Sequence, residues 1–168
     1  YYMYTANDPH GGSEGVMASN RIIDGYRVGA DGAWLTHADL LAQDTLNRVG
    51  WNLRAAYSWS TRFKYYKMIE EPSPGSEWFA VYGFHNNKGN CYVKAATFCY
   101  MARQLGYDAH QVAGFVPTSS GGLSPHSWCE VNIGGAIYVF DPSFEQGTKR
   151  NGYQISYGTS GTWKYCNY

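Results

Sequence analysis

Apolar residues recur with a helical period through the middle of the chain and then switch to strict alternation. Thr36 can cap a first helix over residues 37–49, in which Leu40, Leu41, Leu46 and Val49 share a face, and Gly50 can end it. Asn52 can open a second helix through Leu53 to Trp59. Residues 62–67 read as a short strand or a frayed helix end. Two prolines and a glycine break residues 70–76, and the loop reading extends to residue 87. The clearest helix is predicted over 92–105, where Val93, Ala96, Thr97, Tyr100 and Met101 form one face. Lys94 and Arg103 are expected to point to solvent, and Gly106 suits a left-handed end.

Beyond that helix the period becomes two. His110 to Val116 predicts a strand and residues 117–125 a loop. Ser127 to Ile133 and Ala136 to Phe140 predict a hairpin turning at Gly134-Gly135, with Pro142 ending it. A two-residue turn there puts Trp128 opposite Asp141, with His126 one diagonal step away on the same face. The tail beyond Gln146 has room for another short strand. The first 35 residues differ. They are rich in Gly, Asn, Asp and Ser, with hairpin-turn pairs at Asp24-Gly25 and Asp31-Gly32 flanked by Tyr26 and Trp34. The chain therefore divides into a turn-rich lead-in, 1–35, and a main unit, 36–168.

Composition changes this picture in one respect. Leu, Ile, Val and Phe supply only 29 of 168 residues, whereas Tyr and Trp add 22, so the core is expected to be aromatic. Lys plus Arg and Asp plus Glu are 13 each. Zero net charge gives no electrostatic footprint for nucleic acid or an anionic membrane. No apolar run approaches the roughly 18 residues that span a bilayer. No signal segment is visible and the chain opens Tyr1-Tyr2-Met3, which reads as a trimmed piece of a longer protein.

Three residues carry candidate chemistry. Cys91 falls at the start of the clearest helix, where backbone N–H groups and the positive end of the dipole favour a thiolate and can hold an oxyanion. His126 and Asp141 meet across the predicted hairpin, and a carboxylate there fixes the imidazole tautomer. Together they form a nucleophile, base and orienter set. No upstream spacing singles out Trp51, Trp59 or Tyr65 as a second oxyanion donor. The other cysteines, Cys99, Cys129 and Cys166, show no CxxC spacing, so no metal site is expected, and a bridge from Cys166 to Cys99 or Cys129 stays open. His10, His37 and His85 lie in polar surroundings and read as surface residues.

Three blocks resemble the core of the transglutaminase-like superfamily. They are Gly89 to Phe98 followed by Arg103 to Val112, then Pro125 to Val131, then Ile137 to Phe144. The family's Cys, His and Asp match Cys91, His126 and Asp141 in type, order and spacing. The resemblance implies an α+β fold related to papain-like cysteine enzymes, with a Cys-bearing helix packed on an antiparallel sheet. It also implies a thioester acyl-enzyme, resolved by water or an amine, with no cofactor. The expected activity is that of an extracellular cysteine hydrolase or acyltransferase on peptide, isopeptide or glutamine amide bonds, hydrolysis being favoured. The alternative is a catalytically silent binding or structural module of a Gram-positive surface protein. Residues 22–34 resemble one repeat of the cell-wall-binding modules of Gram-positive surface proteins. That implies a secreted or cell-surface location, with peptide or protein substrate and cell wall as partners.

Overall fold

The computed structural model describes residues 1–167. Two short strands open the chain, β1 (Arg21–Ile23) and β2 (Tyr26–Val28), paired antiparallel. Asp24 and Gly25 both have positive φ, as the tight hairpin turn between them requires. Tyr4, Ala18, Ile23 and Val28 bury a small cluster of their own.

Helix α1 (His37–Val49) starts as expected. The Thr36 hydroxyl accepts from the Asp39 N–H while the Asp39 carboxylate accepts from the Thr36 N–H. Its buried face differs from the expected one. Ala38, Ala42, Thr45 and Leu46 go under, while Leu40 and Val49 are half-buried. Small residues on that face let α1 lie close against its neighbours. Asn52 caps α2 (Leu53–Thr61), accepting from the Ala55 N–H. The ambiguous stretch after it holds β3 (Lys64–Tyr65), which pairs in parallel with β4 (Lys88–Gly89).

Residues 76–86 are not loop. They form α3 (Ser76–Asn86). Its Trp, Phe, Tyr and Gly are mediocre helix formers, so local preference gives little signal and packing decides. Gly83 is the tightest point: a Cβ there would lie 2.2 Å from the Thr97 hydroxyl, so α3 approaches α4 (Cys91–Gln104) closely only because position 83 has no side chain.

Helix α4 is the centre of the fold. Every residue from Cys91 to Ala102 is buried, because helices α1, α2 and α3 and the strands β5 (Asp108–Pro117) and β6 (Leu123–Ile133) all contact it. Lys94 is therefore not at the surface, as expected from the sequence, but 0% exposed. β6 begins at Leu123, so the loop expected over 117–125 is short. Pro125 is tolerated inside β6 because β7 (Ala136–Phe140) pairs with β6 only from Cys129 onward. The β6–β7 register sums to 269, as the Gly134-Gly135 turn dictates.

After β7 the chain forms a helix that was not expected, α5 (Pro142–Thr148), with Asp141 as its cap and Pro142 at its first position. The tail returns as β8 (Cys166–Asn167) and completes an antiparallel sheet in the order β7-β6-β5-β8. Gly114 makes this possible, since a Cβ there would sit 2.2 Å from the Cys166 carbonyl oxygen. No helix among the described residues is long and apolar enough to cross a membrane.

Candidate active site

Cys91 occupies the first position of α4. The chain enters through Asn90, fully buried, whose amide N–H donates to the Ile69 carbonyl (2.7 Å) and whose side-chain oxygen accepts from the Val93 N–H. Asn90 thus fixes the helix start to the preceding loop, and with it the thiol, which is 7% exposed.

His126 lies within β6, not at its start, and is 4% exposed. Its Nε2 donates to Asp141 Oδ2 at 2.7 Å. Asp141 has further duties. Its Oδ1 accepts from the Phe144 N–H to cap α5, its Oδ2 accepts from the Tyr165 hydroxyl, and its carbonyl accepts from the Tyr57 hydroxyl. Burial on its own would push the His126 imidazole down. The Asp141 carboxylate outweighs it by charge and hydrogen bond, and the nearby Cys91 adds to the effect, so the ring is held up at about 10. The structure pairs two of the residues singled out in the sequence, His126 and Asp141, directly, and the thiol of the third, Cys91, is near enough to act on the same ring electrostatically.

Sequence reasoning missed the aromatic enclosure of His126. Trp163 stands edge-on to the ring at 4.7 Å, Tyr165 is tilted at 6.4 Å and Trp128 stacks at 6.2 Å. Trp163 and Tyr165 come from the irregular tail just before β8, where no periodic pattern marks them. Of the three upstream aromatics, Tyr65 is the one beside the site. Burial and then the neighbouring Cys91 and Glu70 raise its phenol above the ordinary value. Trp51 is exposed and donates to Asn47, and Trp59 packs between Phe63 and Phe84.

Lys94 lies one turn along α4 from Cys91. Its ammonium donates to the Phe63 carbonyl (2.9 Å) and to the Gln146 side-chain oxygen, while the Gln146 amide donates to the Thr61 and Phe63 carbonyls. Burial pushes the amine down to about 8, against the pull of Asp141 and Cys91 and with a small push from Lys149. An unfolded chain keeps this lysine protonated to about 10.4. Folding therefore costs most below pH 8, and the cost is relieved as pH rises from 8 to about 10.4. A Lys94→Met protein is expected to be more stable than wild type at pH 7 by about 1–2 kcal/mol. Thermal melts across pH 7 to 10.5 should show that gap closing.

Cys99 on α4 and Cys129 on β6 are both fully buried and lie close enough across the helix–sheet interface to influence each other electrostatically. Cys166 is exposed, and all four cysteines are free thiols. Among the described residues no group of three or more His, Cys, Asp or Glu side chains converges as metal ligands would. A cavity of about 1100 Å³ lies between the β1–β2 unit and α1 and α4, lined by Arg27, Trp34, Gln43, Trp51 and Arg103 among others. A smaller one of about 120 Å³ is lined by Phe79, Tyr92 and Gln111 among others.

Comparison with known proteins places these observations. Residues 10–34 match the choline-binding repeat. Three solved structures resemble the fold. A candidate cysteine protease of Cytophaga hutchinsonii is 17% identical, with a TM-score of 0.47 over 62% of this chain and 36% of its own. An arylamine N-acetyltransferase of Bacillus cereus with a Cys-His-Glu triad is 16% identical, with a TM-score of 0.45 over 66% and 50%. A TGase is 18% identical, with a TM-score of 0.49 over 75% and 37%. The chain thus spans half or less of the length of each. No curated protein matches it. The transglutaminase-like superfamily core matches residues 41–142, well over half of the sequence, and the chain belongs to that superfamily.

Proposed function

We propose that this protein is a cysteine hydrolase or acyltransferase, acting outside the cell on peptide, isopeptide or glutamine amide bonds, with Cys91 as nucleophile, His126 as general base and acid, and Asp141 as orienter. One observation carries the reading: a buried imidazole bonded at 2.7 Å to a buried carboxylate, with a helix-start thiol close enough to influence its charge. With Nε2 committed to Asp141, the other ring nitrogen is the one that serves the thiol. Held up at about 10, the ring stands as an imidazolium at neutral pH, stabilised by Asp141, and pairs with the thiolate that attacks. The sulfur attacks the carbonyl carbon, and the oxyanion is held at the head of α4, with the Tyr65 phenol as a candidate second donor. As the C–N bond breaks, His126 protonates the leaving amine. Water, deprotonated by His126, then cleaves the thioester and restores the thiol, whereas an amine would form a new amide. Hydrolysis is favoured because water needs no binding site of its own to reach the thioester.

Residues 1–35 are proposed as a surface-attachment unit of the choline-binding-repeat type and 36–168 as the catalytic unit, which puts the protein at a bacterial cell surface. Exposed Tyr26 and Trp34, edge-on at 5.9 Å, support this. The burial of Cys91 and His126 favours the second reading, a silent module of the same fold.

Iodoacetamide labelling from pH 5 to 9, mapped by peptide mass so that exposed Cys166 is counted separately, decides between them. An active Cys91 labels far faster than Cys166 at acidic pH, and His126→Ala removes the advantage. Labelling of Cys91 no faster than Cys166 overturns the enzymatic reading. Incubation with a glutamine-containing peptide and an amine then reports ammonia release or chain cleavage for hydrolysis, and amine incorporation for transfer.

A further inference from the structure

Two imidazoles far from Cys91 meet at the surface. His37 is the first residue of α1 and His85 lies in the last turn of α3. They are 48 residues apart in sequence, yet their Nε2 atoms face each other at 3.4 Å, with ring centroids 5.6 Å apart and planes tilted by 34°. Both side chains are exposed, so a shared burial does not account for the meeting.

We infer that His37 and His85 form a two-point chelate for a borderline first-row divalent cation, of which Zn²⁺ is the representative, bridging the start of α1 and the end of α3. The distance carries this. A tetrahedral ion with Zn–N bonds of about 2.0–2.1 Å needs its two nitrogens about 3.3–3.4 Å apart. In this structure the two ring nitrogens share a hydrogen bond, but at 3.4 Å it is long and weak and offers little resistance to an ion entering between them. On such an ion the centroids would stand about 5.2 Å apart, so exposed rings need close by only a few tenths of an ångström.

The donor set selects the ion. Neutral imidazole suits Zn²⁺, Ni²⁺ and Cu²⁺, whereas Ca²⁺ and Mg²⁺ require oxygen ligands. The helix ends do not bias the site strongly, since the negative end of α3 at His85 offsets the positive end of α1 at His37. With no third acidic, Cys or His side chain converging among the described residues, water fills the remaining positions and the ion exchanges readily. α1 and α3 are in contact with each other and each contacts α4, so the chelate would staple two of the helices around α4.

The test is calorimetric titration with ZnCl₂ on protein free of any polyhistidine tag, with its accessible thiols alkylated so that Cys91 and Cys166 cannot compete. One ion per chain is expected, with MgCl₂ and CaCl₂ giving no heat. His37→Ala and His85→Ala should each weaken Zn²⁺ binding at least tenfold and remove the accompanying rise in melting temperature. Neither change touches a buried group, so both variants should fold. Zn²⁺ binding unaffected by either substitution, or no binding at all, overturns the inference.

Discussion

A Cys91→Ala protein is expected to keep its fold and to lose amide cleavage and any amine transfer together, with kcat falling by about 10⁴–10⁶-fold. The fold should persist because the substitution deletes one sulfur atom, at a position where α4 is already fixed by Asn90 capping and by contacts along its whole length. The residual rate would come from backbone donors and substrate binding, which survive. His126→Ala should cost about as much, and the double variant little more than either. Groups that act as one nucleophile–base unit fail together, not additively. Steady-state kinetics on the three proteins checks this, and additive losses would mean that Cys91 and His126 act in separate steps.

Asp141→Asn should be the most informative single substitution, because it separates the electrostatic role of Asp141 from its capping role. An asparagine can still accept from the Phe144 N–H with its oxygen and so keep α5. Its NH₂ then faces His126 Nε2, which must offer a lone pair instead of a proton. The ring is forced into the tautomer that cannot take the thiol proton, and kcat should fall by about 10⁴-fold. Stability should fall as well. In the wild type the His126 ring is held up at about 10, against about 6.5 in an unfolded chain, so its stabilising contribution is complete below about pH 6.5 and is lost as pH rises through 10. The variant should therefore be less stable by about 3–5 kcal/mol near pH 6, and the gap should narrow towards pH 10. Chemical denaturation at pH 6 and pH 9.5 measures it. A gap that does not vary with pH would assign Asp141 a purely structural role.

The parts of the fold legible in the sequence are those set by local rules. Thr36 and Asn52 mark helix starts through a side-chain oxygen two or three residues ahead of an unpaired N–H, and Gly134-Gly135 fixes a register. That register is enough to bring His126 and Asp141 to one face. What stayed hidden depends on tertiary context. The periodic apolar face of α4 is real, but the opposite face is also buried, so Lys94 cannot be assigned to solvent from spacing alone. α3 is built from aromatic residues whose helical preference is weak, and its place is set by Gly83 against Thr97. α5 did carry a local signal, Asp141 followed by Pro142, that reads as a cap and first position once the strand before it is ended. The His37–His85 pair has no sequence signal at all, since only the packing of two helices makes them neighbours.

The pairing of β8 with β5 through Gly114 has a temporal side. Trp163, Tyr165 and the strand that holds them follow Cys91 by more than seventy residues, roughly four to fifteen seconds of translation. During that interval the thiol and its helix exist on the nascent chain, while Asp141 lacks one of its hydrogen-bond donors and His126 one of its walls. The enclosure of His126 and the last donor to Asp141 thus arrive late and together, when the tail settles beside Gly114.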